Sequence, residues 1–118
     1  MSLPIALDTN LLVRLLTNDD PAQARQVADL IDTSAACFVP FTVVLELEWV
    51  LRGAYQLSRE AITHALRGLI AIRHLHLEQE EQVLQALEAY GQGLDFADAL
   101  HLLRRAGELS LTPAVRQL

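Results

Sequence analysis

The stretch Leu3-Pro4-Ile5-Ala6-Leu7-Asp8-Thr9-Asn10-Leu11-Leu12-Val13-Arg14-Leu15-Leu16 decides the fold. Leu3 to Leu7 is a short apolar run of strand length. Asp8-Thr9-Asn10 are turn and cap formers, and Leu11, Leu12, Leu15 and Leu16 then recur at helical spacing. A buried strand running directly into a helix is the opening unit of an alternating α/β chain. Asp8, at the carboxyl end of that strand, stands where such sheets place ligands.

The same alternation continues downstream. Asp20-Pro21 marks a helix start, with Ala24, Val27, Ala28 and Ile31 as its apolar stripe to about Ile31. Ala36 to Val39 reads as a second strand ended by Pro40. Thr42 is placed to cap a helix that turns Val43, Leu47, Val50 and Leu51 inward before Gly53. Ser58 caps a helix carrying Ile62, Leu66, Leu69 and Ile70, and His74-Leu75-His76-Leu77 alternates as a half-exposed strand. Glu80 to Tyr90, with Val83, Leu84 and Leu87, is a further helix. After Gly91-Gln92-Gly93, Asp95 caps a helix bearing Ala99, Leu102 and Leu103, which Gly107 stops before a last short run at Leu109-Ser110-Leu111. Strands alternating with helices imply a short parallel sheet with right-handed crossovers, flanked by helices.

Composition bounds the class. The chain has 118 residues, 52% of them hydrophobic, which suits one domain with one continuous core. Cys37 is the single cysteine, so no intramolecular disulfide forms and a reducing cytoplasm is the expected compartment. No apolar run reaches a membrane-spanning length, and no basic segment precedes the apolar stretch at the amino terminus. A net charge of -6 argues against gripping nucleic acid through a broad basic face. All nine basic residues are arginine, which reflects composition bias more often than function.

Four acidic residues, in three segments of the sequence, are the candidates for chemistry. Asp8 ends the first strand, though it also suits a plain cap. Glu46 lies in Val43-Val44-Leu45-Glu46-Leu47-Glu48-Trp49-Val50-Leu51, on the same side as Val43 and Val50. It is therefore expected partly buried, with either a metal or an arginine (Arg14, Arg25 or Arg52) as partner, while Glu48 is expected solvated. Asp95 and Asp98 share one face at a helix start, as a capping pair or as ligands. Taken together, Asp8, Glu46 and Asp98, with Asp95 near, require a counter-cation if one crevice gathers them. All-oxygen ligands suit Mg²⁺ or Mn²⁺, and phosphodiester hydrolysis is the fitting reaction. His101, one turn after Asp98, has a structural role at least as readily as a tuning one. No glycine-rich phosphate loop occurs, which weighs against a nucleotide-binding or receiver-like domain.

Leu7 to Leu16, Leu45 to Arg52 and Leu94-Asp95-Phe96-Ala97-Asp98-Ala99-Leu100-His101-Leu102 together resemble the PIN domain family, and within it the VapC-like toxins of bacterial toxin–antitoxin pairs. The resemblance implies a three-layer α/β fold and a magnesium-dependent ribonuclease. It implies a homodimer held inactive by a small antitoxin, with Asp8, Glu46 and Asp98 as the acidic metal site. Asp95 matches an additional acidic position, and Thr9 and Asn10 match polar residues supporting Asp8. The end of the chain departs from the pattern: if Thr112 is the matching threonine, Ala114 stands where a fourth acid is usual and the final helix is absent. A noncatalytic or weakened module that binds an antitoxin or RNA is the competing reading.

Overall fold

The computed structural model describes residues 4–17 and 19–110. Its elements, in chain order, are β1 (Ile5–Ala6), α1 (Thr9–Thr17), α2 (Pro21–Thr33), β2 (Cys37–Val39), α3 (Phe41–Gly53), α4 (Arg59–Ile70), β3 (Leu75–Leu77), α5 (Glu80–Gly91) and α6 (Phe96–Ser110). The result is a mixed α/β protein with a three-strand parallel sheet and six helices, as the alternation of patterns predicts. The chain packs as two compact units, Met1–Glu78 and Gln79–Leu118.

The sheet belongs to the first unit, in the order β1-β2-β3. Ile5 pairs with Cys37 and Cys37 with Leu75, all parallel. Alternation turns Cys37, Val39, Leu75 and Leu77 into the core and leaves Ala6, Phe38 and His76, which stand in register, exposed. Parallel strands need long crossovers, and here helix pairs supply them. Burial pushes the Cys37 thiol up from its ordinary value, against the opposing effect of a hydrogen bond with Ser34. At neutral pH it is an uncharged core group.

Local signals set most helix starts. Asp20 Oδ1 accepts from the Ala22 and Gln23 amides, with Pro21 in the first helical position. Ser58 Oγ accepts from the Ala61 amide. Buried Ala24, Val27 and Ile31 form the inward stripe of α2, and Ile62, Leu66 and Leu69 that of α4. The start of α3 differs from the sequence expectation: Pro40, not Thr42, is the N-cap, and it offers no side-chain bond. Proline has neither an amide hydrogen nor a polar side chain, so the cap comes from elsewhere: Glu78 Oε1 accepts the Phe41 amide at 2.7 Å.

In the second unit α5 packs on α6. Val83, Ala86, Leu87 and Tyr90 of α5 are buried, as are Phe96 and Leu100 of α6, with the Tyr90 and Phe96 rings edge to face at 5.6 Å. Leu102, expected inward, is exposed, because the buried phase of α6 starts from Phe96 and recurs at Leu100. Gly107 does not end the helix either, since α6 continues to Ser110. A Cβ at Gly107 would come within 3.0 Å of Gln82 Nε2, so the glycine permits close approach to α5. Leu109 and Ser110 are thus helical and not a strand. Leu111, Thr112 and Ala114 lie outside the described residues.

Candidate active site

Two of the carboxylates expected at the site, Asp8 and Glu46, belong to the first unit, and both are exposed. At the end of β1 the Leu7 amide still bonds to the Phe38 carbonyl at 2.8 Å, and the next residue leaves the sheet. Asp8 Oδ1 accepts the Leu11 amide at 2.9 Å, so Asp8 caps α1 from the strand's carboxyl end. A carboxylate has about four lone-pair positions, and a cap occupies one of them.

Glu46 and Glu48 exchange the places expected of them. The inward face of α3 is Phe41, Val44, Leu47, Glu48 and Leu51. Glu48 is only 4% exposed, whereas Glu46 lies on the outer face with Thr42, Trp49 and Gly53. The helix is apolar nearly all round, with Val43, Leu45 and Val50 half-buried, so its pattern admits two phases. Arg52 decides between them. One turn after Glu48, its Nε donates to Glu48 Oε2 at 2.8 Å, compensating a buried charge. Arg52→Ala should therefore destabilise the protein by about 1–2 kcal/mol, less than a fully buried pair because the arginine side chain is 48% exposed. Urea unfolding measures it, and an unchanged midpoint would contradict the assignment.

Thr9 joins the two exposed acids' segments. Its Oγ1 donates to Glu46 Oε2 at 2.8 Å, across 37 positions of sequence, tying the first turn of α1 to the second turn of α3. The bond fixes the Glu46 carboxylate beside the segment that begins with Asp8. Asn10, next along α1, is exposed.

In the second unit Asp95 and Asp98 are both exposed, and Asp95 Oδ1 accepts the Asp98 amide at 2.9 Å. Asp95 thus caps α6, and the Asp98 carboxylate stands in the first helical turn, where free amides and the helix dipole favour negative charge. His101 is exposed one turn later.

Taken unit by unit, the described residues contain no group of three His, Cys, Asp or Glu side chains placed to hold a metal. Asp8 and Glu46 are nevertheless the right donors for a hard cation: both are carboxylates, both meet water, and Thr9 orients one of them. Mg²⁺ and Mn²⁺ take one or two carboxylates and keep several waters. Residues 5–103 match the PIN domain family, a match that runs through both units. The chain belongs to the PIN domain family. PIN domains are typically metal-dependent nucleases acting on RNA or DNA, which makes nuclease function the general reading for this member. No curated protein matches the chain. Asp8 of this PIN domain stands at a strand end and Asp95 and Asp98 at a helix start, where chain direction places polar groups outside the core, whereas Glu46 projects from the second turn of α3.

Two residues of this neighbourhood escaped sequence reasoning. Glu78 carries no local signal, because the amide it caps is 37 positions away. Trp49 is given no place in the sequence reading, and the phase of α3 leaves it 67% exposed. No helix among the described residues is long and apolar enough to cross a membrane.

Proposed function

We propose that this PIN domain is an Mg²⁺- or Mn²⁺-dependent endoribonuclease, the toxin component of a bacterial toxin–antitoxin pair. Asp8 and Glu46 hold the cation. Asp98, with Asp95, adds carboxylates on the strength of the late acidic motif; Asn10 supports the first aspartate, and Thr9, expected to do the same, orients Glu46 instead. The observation that carries this reading is the Thr9–Glu46 hydrogen bond, which ties a carboxylate on α3 to the segment of Asp8. A bound divalent ion supplies an acidified water and neutralises charge developing on the phosphate. The chain's own part is to hold that ion, with the Thr9 hydroxyl limiting rotation of the Glu46 carboxylate.

The cation also answers the charge problem. With a net charge of -6 the protein cannot attract RNA by its overall field, so local positive charge at the acids is needed to admit a phosphate. The toxin assignment, the antitoxin and the homodimer rest on the three-motif resemblance. An apolar hollow of about 460 Å³, lined by Leu15, Leu16, Leu57, Leu69 and Ile72, supports a protein partner with an apolar segment. The second reading is a noncatalytic or weakened module that binds an antitoxin or RNA, favoured by Ala114 standing where a fourth acid is usual.

Single-stranded RNA added with Mg²⁺ should quench the emission of Trp49, the only tryptophan, which sits one turn from Glu46. Cleavage of a mixed RNA pool should stop in chelator. Cleavage that persists in chelator overturns metal dependence. Quenching without cleavage selects the noncatalytic module.

A further inference from the structure

We infer that Glu78 is a positioning residue for Glu46. The inference rests on reading Glu46 as a metal ligand, and it adds a residue that no motif assigns. Glu78 follows the last residue of β3, and its backbone amide bonds to the Val39 carbonyl at 2.9 Å, continuing the ladder one step beyond the strand. Its side chain then reaches past Pro40 to the Phe41 amide at 2.7 Å. The two bonds bracket Val39-Pro40-Phe41, the turn from β2 into α3. The N-cap Pro40 makes no side-chain bond, and the first turn of α3 contains no acidic residue.

The placement gives this cap its function. Glu46 lies in the second turn of the helix that Glu78 anchors, and its bond to Thr9 tolerates little displacement at a length of 2.8 Å. The carboxylate of Glu78 serves the helix and not the cation. β3 is separated from β1 by β2, so the strand ends carrying Glu78 and Asp8 are roughly 9–10 Å apart, and one Glu78 oxygen is engaged by the Phe41 amide. A negative charge at a helix start is favourable in itself, so the experiment must separate charge from hydrogen bonding.

Three variants do so. Glu78→Gln keeps the acceptor oxygen and loses the charge, Glu78→Asp keeps the charge and withdraws the oxygen by one methylene, and Glu78→Ala removes both. Two quantities are measured: Mn²⁺ affinity by calorimetry, and the Glu46 carboxyl-carbon NMR shift in metal-free protein, which reads the Thr9 bond. Glu78→Gln should stay within about 2-fold of the wild type, while Glu78→Asp and Glu78→Ala should lose roughly 10-fold in affinity, the size of an outer-shell effect. The Glu46 signal should move in the latter two and not in Glu78→Gln. A Gln variant as weak as the others assigns the effect to charge and overturns the inference. So does a Glu46 signal that stays in place in Glu78→Asp and Glu78→Ala. If the alanine variant does not fold, the Asp and Gln pair carries the decision. A wild type that binds no Mn²⁺ defeats the proposed metal site, and the Glu46 signal then still decides the positioning role.

Discussion

Asp8→Asn is expected to abolish Mn²⁺ binding and metal-dependent RNA cleavage, with at least a roughly 100-fold loss in kcat/KM, while leaving the fold intact. The separation follows from what Asp8 does structurally. Its Oδ1 accepts the Leu11 amide, and asparagine keeps an oxygen at that position and caps a helix about as well as aspartate. The charge is what the substitution removes. Stability should change by no more than about 0.5 kcal/mol, read by urea unfolding beside calorimetry and cleavage of the RNA pool. Asp98→Asn should lose cleavage in the same way and keep its fold, because the hydrogen bond to Asp95 Oδ1 is donated by the Asp98 backbone amide and survives the change. Wild-type cleavage by repurified Asp8→Asn would remove Asp8 from the metal site.

Leu47→Ala carries the largest expected cost in stability, about 3 kcal/mol within a usual range of roughly 2–5. Leu47 is fully buried in α3, between exposed Glu46 and buried Glu48. Domains of this size have only about 5–15 kcal/mol to lose, so the melting temperature should fall by more than ~10 °C. Trp49→Ala, two positions on, deletes a larger side chain yet should cost under about 1 kcal/mol, because that side chain already meets water. The contrast between adjacent turns tests the phase of α3 directly in thermal melts. Equal losses would place Trp49 in the core and undo the outward assignment of Glu46.

That phase is where the sequence was least legible. β1 and its turn into α1, the Asp20-Pro21 start of α2, the Ser58 cap and the alternating β3 were all readable, because each rests on residues within one or two turns of each other. In α3 the apolar residues cover most of the circumference, and a buried glutamate is invisible until its Arg52 partner is considered. Expecting Glu46 inward and Glu48 in water followed from taking Val43 and Val50 as the inward stripe, whereas both are only half-buried. The cap by Glu78 and the tie from Thr9 to Glu46 were illegible for another reason: both join positions 37 residues apart, and no local pattern encodes them. Gly107 misled because glycine marks helix ends and close helix approaches alike, and only the neighbouring Gln82 tells which. Within the candidate site, Asp8, Thr9 and Asp95 were placed by strand end and helix start, while the surroundings of Glu46 needed coordinates.

The all-parallel order of β1, β2 and β3 also governs how the chain reaches its native state. Ile5 meets Cys37, and Cys37 meets Leu75, so each strand pairing closes a loop of roughly 30 to 40 residues before any sheet bond is made. Helical turns form from neighbours and can precede this step; the sheet cannot. As the chain leaves the ribosome, Ile5–Ala6 has no strand to pair with until Cys37–Val39 has emerged, and Cys37–Val39 waits in turn for Leu75–Leu77. Refolding should therefore be slower than for a helical bundle of equal length, with the nascent amino-terminal strand as the segment most in need of a chaperone.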